Sequence, residues 1–128
     1  MKAGNLGEIA VAKEFAKCGF EIYSPIGDNA SHDLLVSKGD KIYCVEVKST
    51  ASKSGAGYAV QVKKVRANRT KNRIINFDND KTDILAVYII PKDQVIFFKA
   101  KDVEVKSALT VYGDGRDGRA VDCANLES

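Results

Sequence analysis

The clearest pattern in the chain lies at its start. From Asn5 to Lys17, apolar residues recur at helical spacing, with Leu6, Ile9, Ala10, Val11, Ala12, Phe15 and Ala16 forming one broad surface. Gly19 follows, where a helix C-terminal glycine is expected. Beyond it the period changes. Glu21 to Ser24 reads as a short strand closed by Pro25 and the polar turn Gly27-Asp28-Asn29. Asp33 to Ser37 and Lys41 to Lys48 read as two strands joined at Lys38-Gly39-Asp40, an antiparallel hairpin. Ser49 to Gly57 has the composition of a loop, and Tyr58 to Val62 alternates as a strand does. Thr82 to Ile90 is apolar at nearly every position, which predicts a central strand covered on both faces. Pro91-Lys92-Asp93 turns into Val95 to Phe98, a second hairpin. After Tyr112, glycines alternate with Asp and Arg without periodicity, so an irregular C-terminal arm is expected from about 112, with a short helix near its end. One helix followed by many strands predicts an α+β or α/β sandwich around a mixed sheet, in a single domain spanning 1–128.

Composition narrows this little. Hydrophobic content of 45% and charged content of 29% are those of a globular protein, and Ile84 to Ile90, the longest apolar run, is too short to span a bilayer as a helix. The N-terminal pattern does not read as a signal peptide. Cys18, Cys44 and Cys123 are scattered, and with a single histidine they do not spell a structural zinc site. These features predict a reducing, cytoplasmic setting, with nucleoid association or a phage origin both compatible. Charge distribution says more than the formal net of +3. Lys63, Lys64, Arg66, Arg69, Lys71 and Arg73 fall in one stretch without an acidic residue, and setting those six aside turns +3 into −3. A basic patch on an acidic background suits a polyanion, although a solvated basic loop has the same composition.

Candidate chemistry centres on the strand Lys41 to Lys48. Alternation turns Tyr43, Val45 and Val47 one way and Glu46 with Lys48 the other. Alone, that pair is a surface ion pair of small worth. Asp33, opening the neighbouring strand, changes the reading: two carboxylates from adjacent strands, with a backbone carbonyl at Val47 between them, make an all-oxygen site of the kind that Mg²⁺ or Mn²⁺ prefers. Lys48 then stands where a cation can orient or deprotonate a water attacking phosphorus. Glu8 shares a helix side with Val11, Ala12 and Phe15, where a carboxylate needs either a cationic partner or a route to solvent. His32, the one histidine, has no evident Ser or Cys partner and reads as a turn residue beside Asp33. Gly113-x-Gly115 lacks the strand–turn–helix setting of a phosphate loop and reads as a flexible segment that brings Arg116 and Arg119 to a polyanion.

Taken together, Gly7-Glu8, Pro25-Ile26-Gly27-Asp28-Asn29, Asp33-Leu34-Leu35-Val36 and Val45-Glu46-Val47-Lys48-Ser49-Thr50 closely resemble the PD-(D/E)XK nuclease superfamily. The resemblance is strongest over residues 4 to 50 and continues through Asp83 to Ile90; within the superfamily it points to archaeal Holliday-junction resolvases and small intron-encoded homing endonucleases. His32 stands where the superfamily's name puts Pro, a position that varies among its members. The resemblance implies a restriction-endonuclease-like fold with a central mixed sheet flanked by helices. It also implies Mg²⁺-dependent (Mn²⁺ as substitute) hydrolysis of DNA phosphodiesters, site-specific or structure-specific. Asp33, Glu46 and the Val47 carbonyl would be metal ligands, Lys48 the catalytic lysine, Glu8 an accessory carboxylate and Gln61 a further neighbour of the site. Lys63 to Arg73 would hold the DNA backbone. A binding module of the same fold without catalysis is the alternative. Because one site cuts one strand, a homodimer or dimer of dimers is expected, with the apolar Val95-Ile96-Phe97-Phe98 as interface material; the alternative is that Phe97 and Phe98 complete the chain's own core.

Overall fold

Helix α1 (Ala3–Lys17) forms where the apolar periodicity places it, and Gly19 terminates it with φ of +86°, a left-handed conformation that glycine adopts without steric cost. In the computed structural model, the described residues are 3–24, 33–61, 64–67, 72–75, 82–103, 108–118 and 120–126. The strands are β1 (Glu21–Tyr23), β2 (Leu34–Lys38), β3 (Lys41–Thr50), β4 (Lys53–Ser54), β5 (Gly57–Gln61), β6 (Lys64–Ala67), β7 (Asn72–Ile75), β8 (Ile84–Ile89), β9 (Gln94–Lys99), β10 (Ala108–Val111) and β11 (Ala120–Val121). A mixed six-stranded sheet runs in the order β1-β2-β3-β8-β9-β11. Its one parallel pair is β3 with β8, registered from Val45↔Ile84 to Thr50↔Ile89; the other neighbours are antiparallel. A three-stranded sheet, β10-β5-β4, and the hairpin β6-β7 complete the strands.

Alternation along β3, β8 and β9 divides the interior into two cores. On one face, Val11 and Phe15 of α1 pack with Val45, Ile84, Ala86 and Phe97. On the other, Leu85, Val87, Ile96 and Phe98 pack with Tyr58 and Val60 of β5 and Leu109 and Val111 of β10. All six residues of β8 are buried, as its continuous apolar run predicts. The layers are therefore helix, large sheet and small sheet. Gly7 lets α1 lie close on β3, because a Cβ there would collide with the Ser49 hydroxyl.

Three expectations are revised. Ile96, Phe97 and Phe98 are buried on the two faces of β9 and complete the chain's own cores, so they are not interface material. The segment after Tyr112 is irregular through Gly118 and has a short helix near its end, as expected, but it is tied to the body of the fold and does not stand off as an arm. Both oxygens of Asp117 accept backbone N–H groups, from Tyr112 at 2.8 Å and Gly113 at 2.7 Å. β11 then extends the large sheet along β9, and a 3₁₀ turn at Cys123–Asn125 buries Cys123 and Leu126 in the helix-side core. Finally, the basic stretch is not all loop: β6 and β7 pair antiparallel, with Arg66 opposite Arg73. The turn at 25–29 lies outside the described residues.

Candidate active site

The site is built on β3, at the point where its alternation meets the small sheet. Glu46 pairs in register with Leu85 and Lys48 with Val87, so both side chains leave β3 on the face that carries the second core. Glu46 is only 4% exposed. Lys48 Nζ lies 3.3 Å from its Oε1, with the lysine side chain 17% exposed. This is not the solvated surface pair that the sequence alone allowed. The small sheet covers the pair because Thr50, next in the same alternation, donates its hydroxyl to the Ala59 carbonyl at 2.6 Å and fastens β5 to the end of β3. That same hydroxyl oxygen accepts the Ser52 N–H at 3.2 Å.

Asp33 sits one step before β2, and its backbone leaves the regular ladder. Its N–H donates to the Val45 carbonyl at 3.2 Å, while its Oδ2 accepts the Val47 N–H at 2.8 Å. The two bonds straddle Glu46, so the carboxylate of Asp33 is fixed beside that residue by β3's own backbone. Glu8 completes the group from α1. Partial burial raises its pKa above 4.5, and the negative charge of Asp33 raises it further. Among the described residues, Glu8, Asp33 and Glu46 together with the ammonium of Lys48 sum formally to −2 when all are ionised. That excess, carried only by carboxylates, fits a hard divalent cation held by oxygen. Asp33 and Glu46, with the Val47 carbonyl between them, are the residues that would hold it. Among the described residues no ready-made cluster of three such ligands is closed around one point.

The remaining candidates are distributed differently. Gln61 ends β5 on the exposed side, alternating with the buried Tyr58 and Val60. Among the described residues no hydrogen bond ties it to Asp33 or Glu46. Lys64, Arg66 and Arg73 lie on the β6-β7 hairpin, and Lys63, Arg69 and Lys71 lie outside the described residues, as do His32 and Arg119. Arg116 pairs with Asp114 at 3.0 Å and stands over the Tyr112 ring, a local role within the 112–118 loop. Thr50 was missed as a site-shaping residue. Its signal was legible, since positions 46, 48 and 50 share one face of β3.

Comparison with known proteins gives the family and the fold. The PD-(D/E)XK endonuclease family model matches residues 1–121. Protein 5.3 of Escherichia phage T7 is 31% identical over 109 residues, covering 84% of this chain and 86% of that protein. The bacterial homing endonuclease I-Ssp6803I superposes with a TM-score of 0.74 at 20% identity, covering 94% of this chain and 83% of its own. The Holliday junction resolvase Hjc of Archaeoglobus fulgidus superposes with a TM-score of 0.58 at 14% identity, covering 98% and 100%. At these identities the two structures speak for the fold.

Proposed function

The chain belongs to the PD-(D/E)XK endonuclease family, and from that premise we propose that it is a divalent-metal-dependent endodeoxyribonuclease that hydrolyses DNA phosphodiesters with Asp33, Glu46 and Lys48. The observation that carries the reading is the burial of Glu46 against Lys48, with Asp33 fixed across it by the Val45 and Val47 backbone. Burying a carboxylate is costly and contributes nothing to the packing of an apolar core, so a role in chemistry accounts for it better than stability does.

Asp33, Glu46 and the Val47 carbonyl would hold Mg²⁺ or Mn²⁺, and Glu8 would act beside them, directly or through water. The cation would supply charge neutralisation at the scissile phosphate. Lys48 orients the attacking water and offsets the negative charge that develops at phosphorus. The β6-β7 ribbon and its flanking basic residues hold the DNA backbone, which contributes affinity without reading sequence. A chain with one such cluster cuts one strand per encounter, so a two-fold dimer, or a dimer of dimers, fits paired cuts with the least new surface.

Digestion of a linear duplex, a four-way junction, a flap and a single strand in Mg²⁺ or Mn²⁺ tests the activity and sorts linear from branched preference. Asp33→Ala and Glu46→Ala should abolish cleavage and leave DNA binding intact. Cleavage at the wild-type rate by either variant would refute the site, and a protein that binds every substrate and cuts none would be a binding module. Sedimentation of the protein, free and with DNA, reads the assembly directly.

A further inference from the structure

Two of the three cysteines come together at the end of the molecule remote from Glu8. Cys18 is in the last turn of the helical segment, and Cys123 is in the 3₁₀ turn that closes the chain's far end. Both converge on one acceptor: the Cys18 N–H donates to the Glu14 carbonyl at 3.3 Å, and the Cys123 thiol reaches the same carbonyl at 3.8 Å. Cys18 packs against the core cluster that contains Cys123. They also share the wall of a cavity of about 520 Å³ with Glu14, Phe97, Asp117 and Asp122. Among the described residues no set of three metal-ligating groups forms here, so the pair is not a metal site. Cys44 lies on β3 in the alternation opposite to Val45, on the sheet face away from α1, where it cannot meet either thiol.

We propose that Cys18 and Cys123 are a modification site: a two-electron oxidant, either a peroxide or a small-molecule disulfide, converts them to an intramolecular disulfide that fastens the C-terminal segment to α1. Cys18, half-buried on the cavity wall, is the thiol the oxidant reaches first; Cys123 is buried. With a small disulfide, the Cys18 thiolate attacks one sulfur and releases one small thiolate. The Cys123 sulfur, on losing its proton, then attacks Cys18 and releases the second. With a peroxide, Cys18 becomes a sulfenic acid, and attack by Cys123 expels water. In either case two thiols lose two electrons and two protons, which the oxidant takes up. Burial and the neighbouring Cys18 push the Cys123 thiol up to about 12, which favours its protonated form, so Cys18 is the thiol that engages the oxidant first. The bond changes how firmly the chain's end is held and leaves Asp33, Glu46 and Lys48 untouched, so the inference stands apart from the proposed cleavage.

The test uses the full reduced protein, treated with oxidised glutathione or hydrogen peroxide, denatured, alkylated and weighed intact. The expected product has lost two mass units, keeps Cys44 as its one alkylatable thiol and yields a linked peptide joining Cys18 to Cys123. Cys18→Ser should form no internal bond. The linkage spans about a hundred residues, and closing a loop of that size should raise the folded-to-unfolded ratio on the order of 10³-fold. Three alkylated thiols after saturating oxidation, a bond that involves Cys44, or a mapped 18–123 bond with unchanged stability would each overturn the proposal.

Discussion

Replacing Lys48 with Met tests whether the candidate site holds a buried ion pair or a surface one. Methionine keeps most of the aliphatic stem and removes the ammonium. At 3.3 Å, with the effective dielectric of about 20 that suits protein sites, the pair attracts by about 5 kcal/mol before desolvation is counted. Desolvation cancels much of that, so the intact pair adds little net stability. Removing one partner is different: Glu46, 4% exposed, keeps its desolvation cost while the attraction of the Lys48 ammonium is lost. Breaking such a pair costs ~3–5 kcal/mol, and since Lys48 retains 17% exposure the lower end applies, about 3 kcal/mol. Glu46→Gln should cost less, because the lysine it strands reaches water. The double variant should fall short of the sum of the single costs by ~2 kcal/mol. Urea unfolding of all four proteins in EDTA, followed by circular dichroism, measures each quantity. Adding Mg²⁺ in excess should narrow the Lys48→Met deficit, since a cation held at the proposed Asp33 and Glu46 site would take over part of the ammonium's role. A Lys48→Met cost under ~0.5 kcal/mol with no coupling would mean that the pair behaves as surface pairs do, and the buried-site argument would fail.

Glu8 should make stability depend on pH. Its folded pKa is raised above 4.5 by burial and by Asp33, so the folded state favours its protonated form. That contribution is complete below about 4.5 and is lost as pH rises through the raised value. Glu8→Gln should therefore gain on the wild type across that window in EDTA, and a flat difference between the two pH profiles would contradict the coupling. Gly7→Ala should destabilise the wild type through the Ser49 hydroxyl. In a Ser49→Ala background it should instead stabilise by up to ~1 kcal/mol, the gain in helix propensity; thermal melts of the four proteins decide the sign. Neutralising Lys64, Arg66 and Arg69 together should weaken binding to all DNA sequences alike and flatten the slope of log K against log salt by up to ~3, near 0.9 for each phosphate contact. An unchanged slope would remove the β6-β7 ribbon from the interface.

Much of the fold was legible along the chain because local periodicity is a property of neighbouring residues. The apolar stripe from Leu6 to Phe15 and the stop at Gly19 fix α1, and the unbroken run from Ile84 to Ile89 marks β8 as a strand buried on both faces. Alternation alone put Val45 on one side of β3 and Glu46 with Lys48 on the other, and the order Glu8, Asp33, Glu46, Lys48 was enough to suggest the family. β10 was missed although Leu109 and Val111 alternate with Ala108 and Thr110, since four residues beside a polar tract give little signal. β11 has two residues and exists because β9 offers an open edge.

The tertiary structure decided how the candidate residues are placed. Whether Glu46 and Lys48 face water or an interior depends on β5, which Thr50 fastens over them, and no spacing within β3 encodes that cover. The same holds for Asp33, whose carboxylate is aimed by the Val47 N–H, and for Glu8, whose helix reaches it only because Gly7 can lie against Ser49. Val95 to Phe98 reads identically as interface or core until the sheet closes around it. Periodicity states which residues share a face; burial and charge coupling depend on which distant segment packs against that face, and only the folded chain sets that.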